Sequence, residues 1–411
     1  MAIEGFQDLD FQQFHERELP QRLAAGNGMQ AALAAKKLGS LAFRTPEGLA
    51  YTYVSDGDGI AVLPGEELAD TVIEIESEIW QGVVHDYESA PGLLYGGRVK
   101  CTKGKAMRLV AWEPALRAMY TGRPLHDPKN VQLKDRRDSP LDIEQSFGLE
   151  SDREDMAHFL RSAGYLFVRG VFSEQEVSGF RQEALALRGE AVKGDKLSWW
   201  GKNAAGEEIL CRVTRAASKP LLRTIPSDPR MLQLKDLSDY ELGHRPKGCA
   251  EEGVAVIYKH PNMTEGLSDI PWHRDCGMGG HSVMCPVLIA SVFLTDSTPE
   301  MGELKMLPGS WTGTIGYMDP NDPEAPRGAQ FLARPGDVSL HYGDVMHAAP
   351  PPTGVDLEQY RMSAVTGYSR PEARNHRGGT SYNDVLHGRE DGQIEDLSTV
   401  ADRRSEGSSG K

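Results

Sequence analysis

Cysteine is scarce in this chain: five in 411 residues, at positions 101, 211, 249, 276 and 285. So few, and odd in number, they offer no disulfide framework and suit a reducing compartment. Long apolar runs are missing as well. No stretch approaches the roughly 18–20 residues that a membrane-spanning helix needs. The opening MAIEGFQDLDFQQFHERELP has neither the basic start nor the apolar middle of a secretory signal, so a cytoplasmic protein is expected. Positive charge is in deficit, with 45 Lys and Arg against 60 Asp and Glu and a net charge of −15. The overall field therefore repels nucleic acid and anionic membranes, and neither is expected as a partner. A local basic pocket for a small anion is compatible with that balance.

What is present is the mixture of a soluble globular protein, 39% apolar and 26% charged, with length for two or three domains. Residues 1 to about 37 read as helical, interrupted by Gly26 and Gly28. Short strand-like runs follow, LAFR, LAYTYV and the alternating DTVIEIES, and then a helix ending near residue 122. Residues 126–149, polar and crossed by a charge run, read as a linker. Beyond it come a helix, the short strand GYLFVRGV and a second helix, for which Ser173 and Glu176 form a capping box. From residue 253 to 368 strand-like pieces broken by Gly and Pro dominate, which suggests an antiparallel double-sheet barrel of jelly-roll type. Residues 371–411 read as a polar tail, partly disordered. The expected organisation is thus an α+β unit over 1–125, a linker over 126–149 and a barrel over 150–370.

The chemistry centres on PWHRDCGMGGH. His273 and Asp275 are two apart, so on an extended strand both side chains leave one face and can converge on one ion. His347, 74 residues later in GDVSLHYGDVMHAAP, lies just past another strand-like run and can approach from a facing sheet. Two histidines and a carboxylate leave three positions open on an octahedral metal, the arrangement used to activate dioxygen at Fe(II). His341 competes as third ligand. A zinc site from His273, Cys276, His281 and Cys285 is a further alternative, but the spacing is that of no zinc finger or ribbon. Arg361 opens the run RMSAVTGY, and its fork suits the distal carboxylate of a dicarboxylic keto acid. Ser363, on the same strand face, can donate a second hydrogen bond.

In order and spacing, residues 150–370 resemble the phytanoyl-CoA dioxygenase family. The likeness is carried by Ala163, Gly164 and Tyr165, by His273 and Asp275, by the stretch 296–311 with Gly302, Leu304 and Pro308–Ser310 as PGS, by Gly336 and Asp337, and by His347 and Arg361. Met301 and Trp311 depart from it, where Asn and His are common. The resemblance implies a double-stranded β-helix with flanking helices, Fe(II) held by His273, Asp275 and His347 rather than His341, and 2-oxoglutarate and dioxygen as cosubstrates. It also implies a place for Lys259 beside the keto acid, together with Arg361 and Ser363. The activity so implied is hydroxylation of an unactivated C–H bond in a small lipid-like or secondary-metabolite substrate, with release of succinate and carbon dioxide. Desaturation, cyclisation and epimerisation use the same ligands, and a non-catalytic lipid-binding protein is the alternative of a different class. Substrate contacts are expected from an irregular insert over 195–215, with Trp199 and Trp200 as an apolar wall and Arg212 and Arg215 for an anion.

Residues 41–120 resemble, more loosely, the sterol carrier protein type of lipid-binding domain, through Gly97, Arg98, Val99, Lys100 and Gly104. That likeness implies a tunnel for an apolar ligand.

Overall fold

The computed structural model describes residues 6–195, 197–244, 250–265, 270–276, 286–316, 318, 324–354, 360–370 and 397–406. The first sheet holds β1 (Leu41–Arg44), β2 (Ala50–Ser55), β3 (Ile60–Pro64), β4 (Thr71–Ile75) and β5 (Val99–Lys103), in the order 3-2-1-4-5. The β1–β4 pair is parallel and the others antiparallel. Helical segments running from Phe11 to Ala35 precede it, with Gly26 breaking the run at φ 118°. The helix Met107–Thr121 follows, closed by Gly122 in the left-handed conformation.

The aromatic interior of this unit carries one buried polar chain. His15 Nδ1–H donates to Phe11 O at 2.6 Å, which leaves Nε2 to accept from Tyr53 Oη at 2.5 Å. Tyr53 in turn meets Tyr120 Oη at 2.6 Å. Burial pushes the His15 imidazole down to about 4, against the pull of the Phe11 carbonyl.

The second half contributes β6 (Tyr165–Val168), β7 (Ser198–Asn203), β8 (Glu208–Val213), β9 (Gly243–His244), β10 (Val254–Lys259), β11 (Met263–Glu265), β12 (Ile270–His273), β13 (Val287–Phe293), β14 (Leu304–Met306), β15 (Ala329–Phe331), β16 (Val338–Tyr342), β17 (His347–Ala349) and β18 (Arg361–Ser369). They form two antiparallel sheets, 11-7-8-10-18-13-16-6 with β9 beside β18, and 12-17-14-15. From β10 onward the chain crosses repeatedly between the two. Helices Arg153–Ala163 and Glu174–Glu190 cover the outer face of the larger sheet, the second opened by the expected Ser173–Glu176 capping box. Alternation splits that sheet. Val256, Tyr258, Ala290, Val292, Leu340, Met362 and Ala364 join the apolar core under the helices. Ile257, Lys259, Ser291, Ser339, His341, Arg361 and Ser363 take the other face, in matched cross-strand register.

Two expectations need correction. Residues 195–215 are not an irregular insert, because β7 and β8 form a regular hairpin that continues the larger sheet. A β-bulge between Trp199 and Trp200 breaks the alternation by which it could have been read. Within the expected polar tail, Leu397–Glu406 is a helix. Its Leu397, Val400 and Ala401 are buried in the core of the first unit, and Ser405 Oγ accepts from Ala106 N at 2.8 Å. Residues 371–396 lie outside the described residues. Among the described residues no helix is long and apolar enough to cross a membrane.

Candidate metal centre

β12 and β17 are neighbours in the smaller sheet, and their register sets His273 directly opposite His347. Directly opposed residues share a face, so the two imidazole rings lie 4.1 Å apart, centre to centre. Asp275, just beyond the end of β12, completes the group. His273 Nε2 stands 3.7 Å from Asp275 Oδ1, and His347 Nε2 stands 3.7 Å from Oδ2. One donor atom from each of the three lies within 4.8 Å of the others.

The tautomer of His347 is fixed by its backbone. Nδ1–H donates to Val345 O at 2.9 Å, so the Nε2 lone pair points at the carboxylate and is free to bind a cation. Burial pushes His347 down to about 4, with neighbouring His341 adding to the effect and Asp275 opposing it. Burial alone would raise the Asp275 carboxyl. The imidazoles of His347, His341 and His273 outweigh it and hold the group well below the usual carboxylate range. Imidazole nitrogens beside an ionised carboxylate are the donor set a divalent ion requires.

Residues 160–356 match the family model for phytanoyl-CoA dioxygenase (PhyH). That stretch, a little under half of the chain, is similar to the family. No curated protein sequence matches the chain. Solved structures similar to it include AviO1 from Streptomyces viridochromogenes, at 20% identity over 54% of this chain and 97% of that one, with a TM-score of 0.42. The non-heme alpha ketoglutarate dependent carbocyclase SnoK from nogalamycin biosynthesis is 23% identical over 61% and 96%, with a TM-score of 0.44. HygX from Streptomyces hygroscopicus, with nickel and 2-oxoglutarate bound, is 20% identical over 53% and 87%, with a TM-score of 0.37. The family match begins at residue 160, so the sterol-carrier resemblance of residues 41–120 rests on its sequence pattern alone.

The motif residues of the family position this centre. Ser310 Oγ accepts from Met346 N at 2.8 Å and donates to Leu307 O at 2.8 Å, which fixes the turn leading into His347. Trp311, where the family commonly has His, packs on Tyr342 at 4.5 Å and donates to Arg161 O at 3.0 Å. A Cβ on Gly164 would meet Trp311 Cδ1 at 2.5 Å and Val345 Cγ2 at 2.6 Å, so that approach needs glycine, as does its φ of +88°.

Lys259 on β10 and Arg361 on β18 are cross-strand partners, both buried. Lys259 Nζ donates to Ala349 O at 2.9 Å, reaching from the larger sheet to the strand that carries His347. A Cβ on Gly302 would strike Lys259 Cε at 2.2 Å, so this glycine leaves the lysine its path. Ser363, buried two residues after Arg361, shares its face. The pair brings two buried cationic groups to one wall of the barrel. In the next row, Trp199, Arg212, Ile257 and Ser363 line up across four strands, with the Arg212 guanidinium 4.6 Å over the Trp199 ring. Trp200 and Arg215 are not brought to this face. Trp200 packs against the helix-side core and Arg215 donates to Glu190 O at 3.1 Å.

His341 lies beside the triad. Its ring is 4.4 Å from that of His347, and its Nε2 stands 3.5 Å from Asp275 Oδ2, a long ionic approach. Of the zinc alternative, Cys276 is buried with its N–H on Gly343 O, while His281 and Cys285 lie outside the described residues. Sequence reasoning missed Arg274, between the two first ligands. Its buried guanidinium meets Asp344 and Glu113.

Proposed function

We propose that the chain is an Fe(II)- and 2-oxoglutarate-dependent dioxygenase that hydroxylates an unactivated C–H bond of a small lipid-like or secondary-metabolite molecule, releasing succinate and carbon dioxide. The supporting observation is the union, inside one jelly-roll barrel, of the His273–Asp275–His347 donor set with the Lys259–Arg361 cation pair on the facing sheet, joined by the Lys259 bond to Ala349 O. Iron, when bound with the keto acid, supplies dioxygen activation.

The protein's own residues do the placing. His273, Asp275 and His347 would hold the metal by one face. Arg361 and Ser363 take the distal carboxylate of the keto acid, the guanidinium by a bidentate contact. Lys259, anchored on Ala349 O, adds positive charge on the same wall. Lys259, His347, Arg361 and Ser363 are buried, which limits water around the reacting centre. Trp199 and Arg212 are the substrate contacts this reading favours, with Trp200 and Arg215 as outlying candidates.

The test is anaerobic addition of Fe(II) and then 2-oxoglutarate to the purified chain. A visible metal-to-ligand charge-transfer band that needs both, and that is absent in Asp275→Ala, is the expected result. No band at saturating concentrations of both sinks the reading. Labelled dioxygen then separates outcomes at the same site: label in the organic product marks hydroxylation, whereas desaturation, cyclisation or epimerisation leaves the product unlabelled.

A further inference from the structure

Alternation along the chain sends Arg274 to the side opposite its neighbours His273 and Asp275. On that side it meets the N-terminal unit. Arg274 Nη2 donates to Glu113 Oε2 at 2.6 Å, and Nη1 donates to Asp344 Oδ1 at 3.1 Å. Asp344 sits in the turn between β16 and β17, three residues before His347. Its other oxygen accepts from Arg117 Nη2 at 3.0 Å and from Arg123 Nη1 at 2.8 Å. Arg117 also grips Asp86 with two bonds, of 2.8 and 3.0 Å, and Arg123 Nε lies 3.0 Å from the same carboxylate.

Three carboxylates, Asp86, Glu113 and Asp344, thus interlock with three guanidiniums, Arg117, Arg123 and Arg274. All but Arg123 are at least nine-tenths buried. Four of the six come from the N-terminal unit. The two barrel members flank the metal ligands, one between His273 and Asp275 and one just ahead of His347. The backbone adds a clip between the same segments, Cys276 N–H to Gly343 O at 2.9 Å. A buried network of this kind gains little over apolar packing as a source of stability, because desolvating six charges is costly. What it does provide is fixed geometry, since forked guanidinium bonds set both distance and orientation.

We infer that Glu113 and Arg117 of the N-terminal unit are positioning residues for the metal centre, acting through Arg274 and Asp344 to set the spacing of the two ligand-bearing segments. This rests on the triad being the metal site. The N-terminal unit is then part of the oxygenase centre in a mechanical sense, whatever else it binds. Partners behind metal ligands typically change metal affinity by about 10- to 100-fold.

The experiment measures Co(II) affinity of the full chain, by anaerobic titration followed through the Co(II) ligand-field bands, alongside the thermal midpoint of the apo protein. Glu113→Gln and Arg117→Gln should each weaken Co(II) binding about tenfold or more and alter the band envelope, with Arg117→Lys recovering part of the loss. Arg44→Gln serves as control. It breaks the Arg44 pairs with Glu66 and Glu74 in the same unit, remote from the metal, and should move the midpoint while leaving Co(II) affinity unchanged. Should Arg117→Gln not fold, the isosteric Glu113→Gln carries the test. Folded Glu113→Gln with unchanged affinity and bands overturns the inference. A wild-type chain that binds no Co(II) at the triad overturns the metal reading itself, a failure visible before any variant is made.

Discussion

Two buried histidines, one in each half of the molecule, show how differently the halves use polar groups. His15 in the first unit has both ring nitrogens engaged, by Phe11 O and Tyr53 Oη. His341 in the barrel is as deeply buried, yet among the described residues its ring nitrogens have only the 3.5 Å approach of Nε2 to Asp275, and Ser339 Oγ on the same face has no hydrogen-bond partner there. A buried polar group without a partner is costly, and a fold keeps one where something else completes it. His15 is closed by its own neighbours. His341 and Ser339 face the space that the proposed metal and keto acid would occupy.

The sharpest way to break this contrast is to remove a donor. His273→Ala or Asp275→Ala should abolish stoichiometric iron binding and 2-oxoglutarate turnover, read by metal analysis and succinate release. Full turnover by His273→Ala would end the assignment. Next in size is Arg361→Ala, which should raise the apparent 2-oxoglutarate requirement by about tenfold or more with iron binding nearly intact. An unchanged requirement in steady-state kinetics would point to another cation.

The closed core should respond to acid, as should His347 of the barrel, which is shifted in the same direction. His15 falls from an ordinary value near 6.5 to about 4 on folding, so the unfolded chain takes up a proton that the folded chain refuses. Its contribution is complete above about pH 6.5 and is lost as pH falls toward 4, on the order of 3 kcal/mol in total. Urea unfolding across that range should show the slope, and His15→Phe should reduce it, leaving the part due to His347. The smallest effect is expected at His341→Phe. Losing only a long ionic approach, it should leave the thermal midpoint of the apo protein within a few degrees, while metal affinity falls. A large drop in the midpoint with affinity unchanged would make His341 a structural residue like His15.

The metal pair was legible because it is local: His273 and Asp275 share a face by alternation alone. The preference for His347 over His341 required the family resemblance, and its structural reason is non-local, the β12–β17 register that sets His347 opposite His273. Arg361 and Ser363 were readable as a same-face pair. That Lys259 lies directly across from Arg361 depends on sheet order, which spacing does not encode. The network behind the metal left one local sign, Glu113 and Arg117 four apart in the otherwise apolar AWEPALRAMY. Their partners are 161 and 227 residues away. The helix Leu397–Glu406 was hidden by its charges, since its buried stripe is only three residues wide.

That last helix has a consequence for how the protein is made. It packs beside the helix Ala90–Tyr95 and β5, and Ser405 caps Ala106 N. The first core therefore lacks one of its walls until some three hundred further residues, the whole barrel among them, have left the ribosome. Vectorial synthesis usually lets an N-terminal unit finish first. Here the first core waits for a helix that follows the whole barrel in the chain, and the barrel folds while that core is still open.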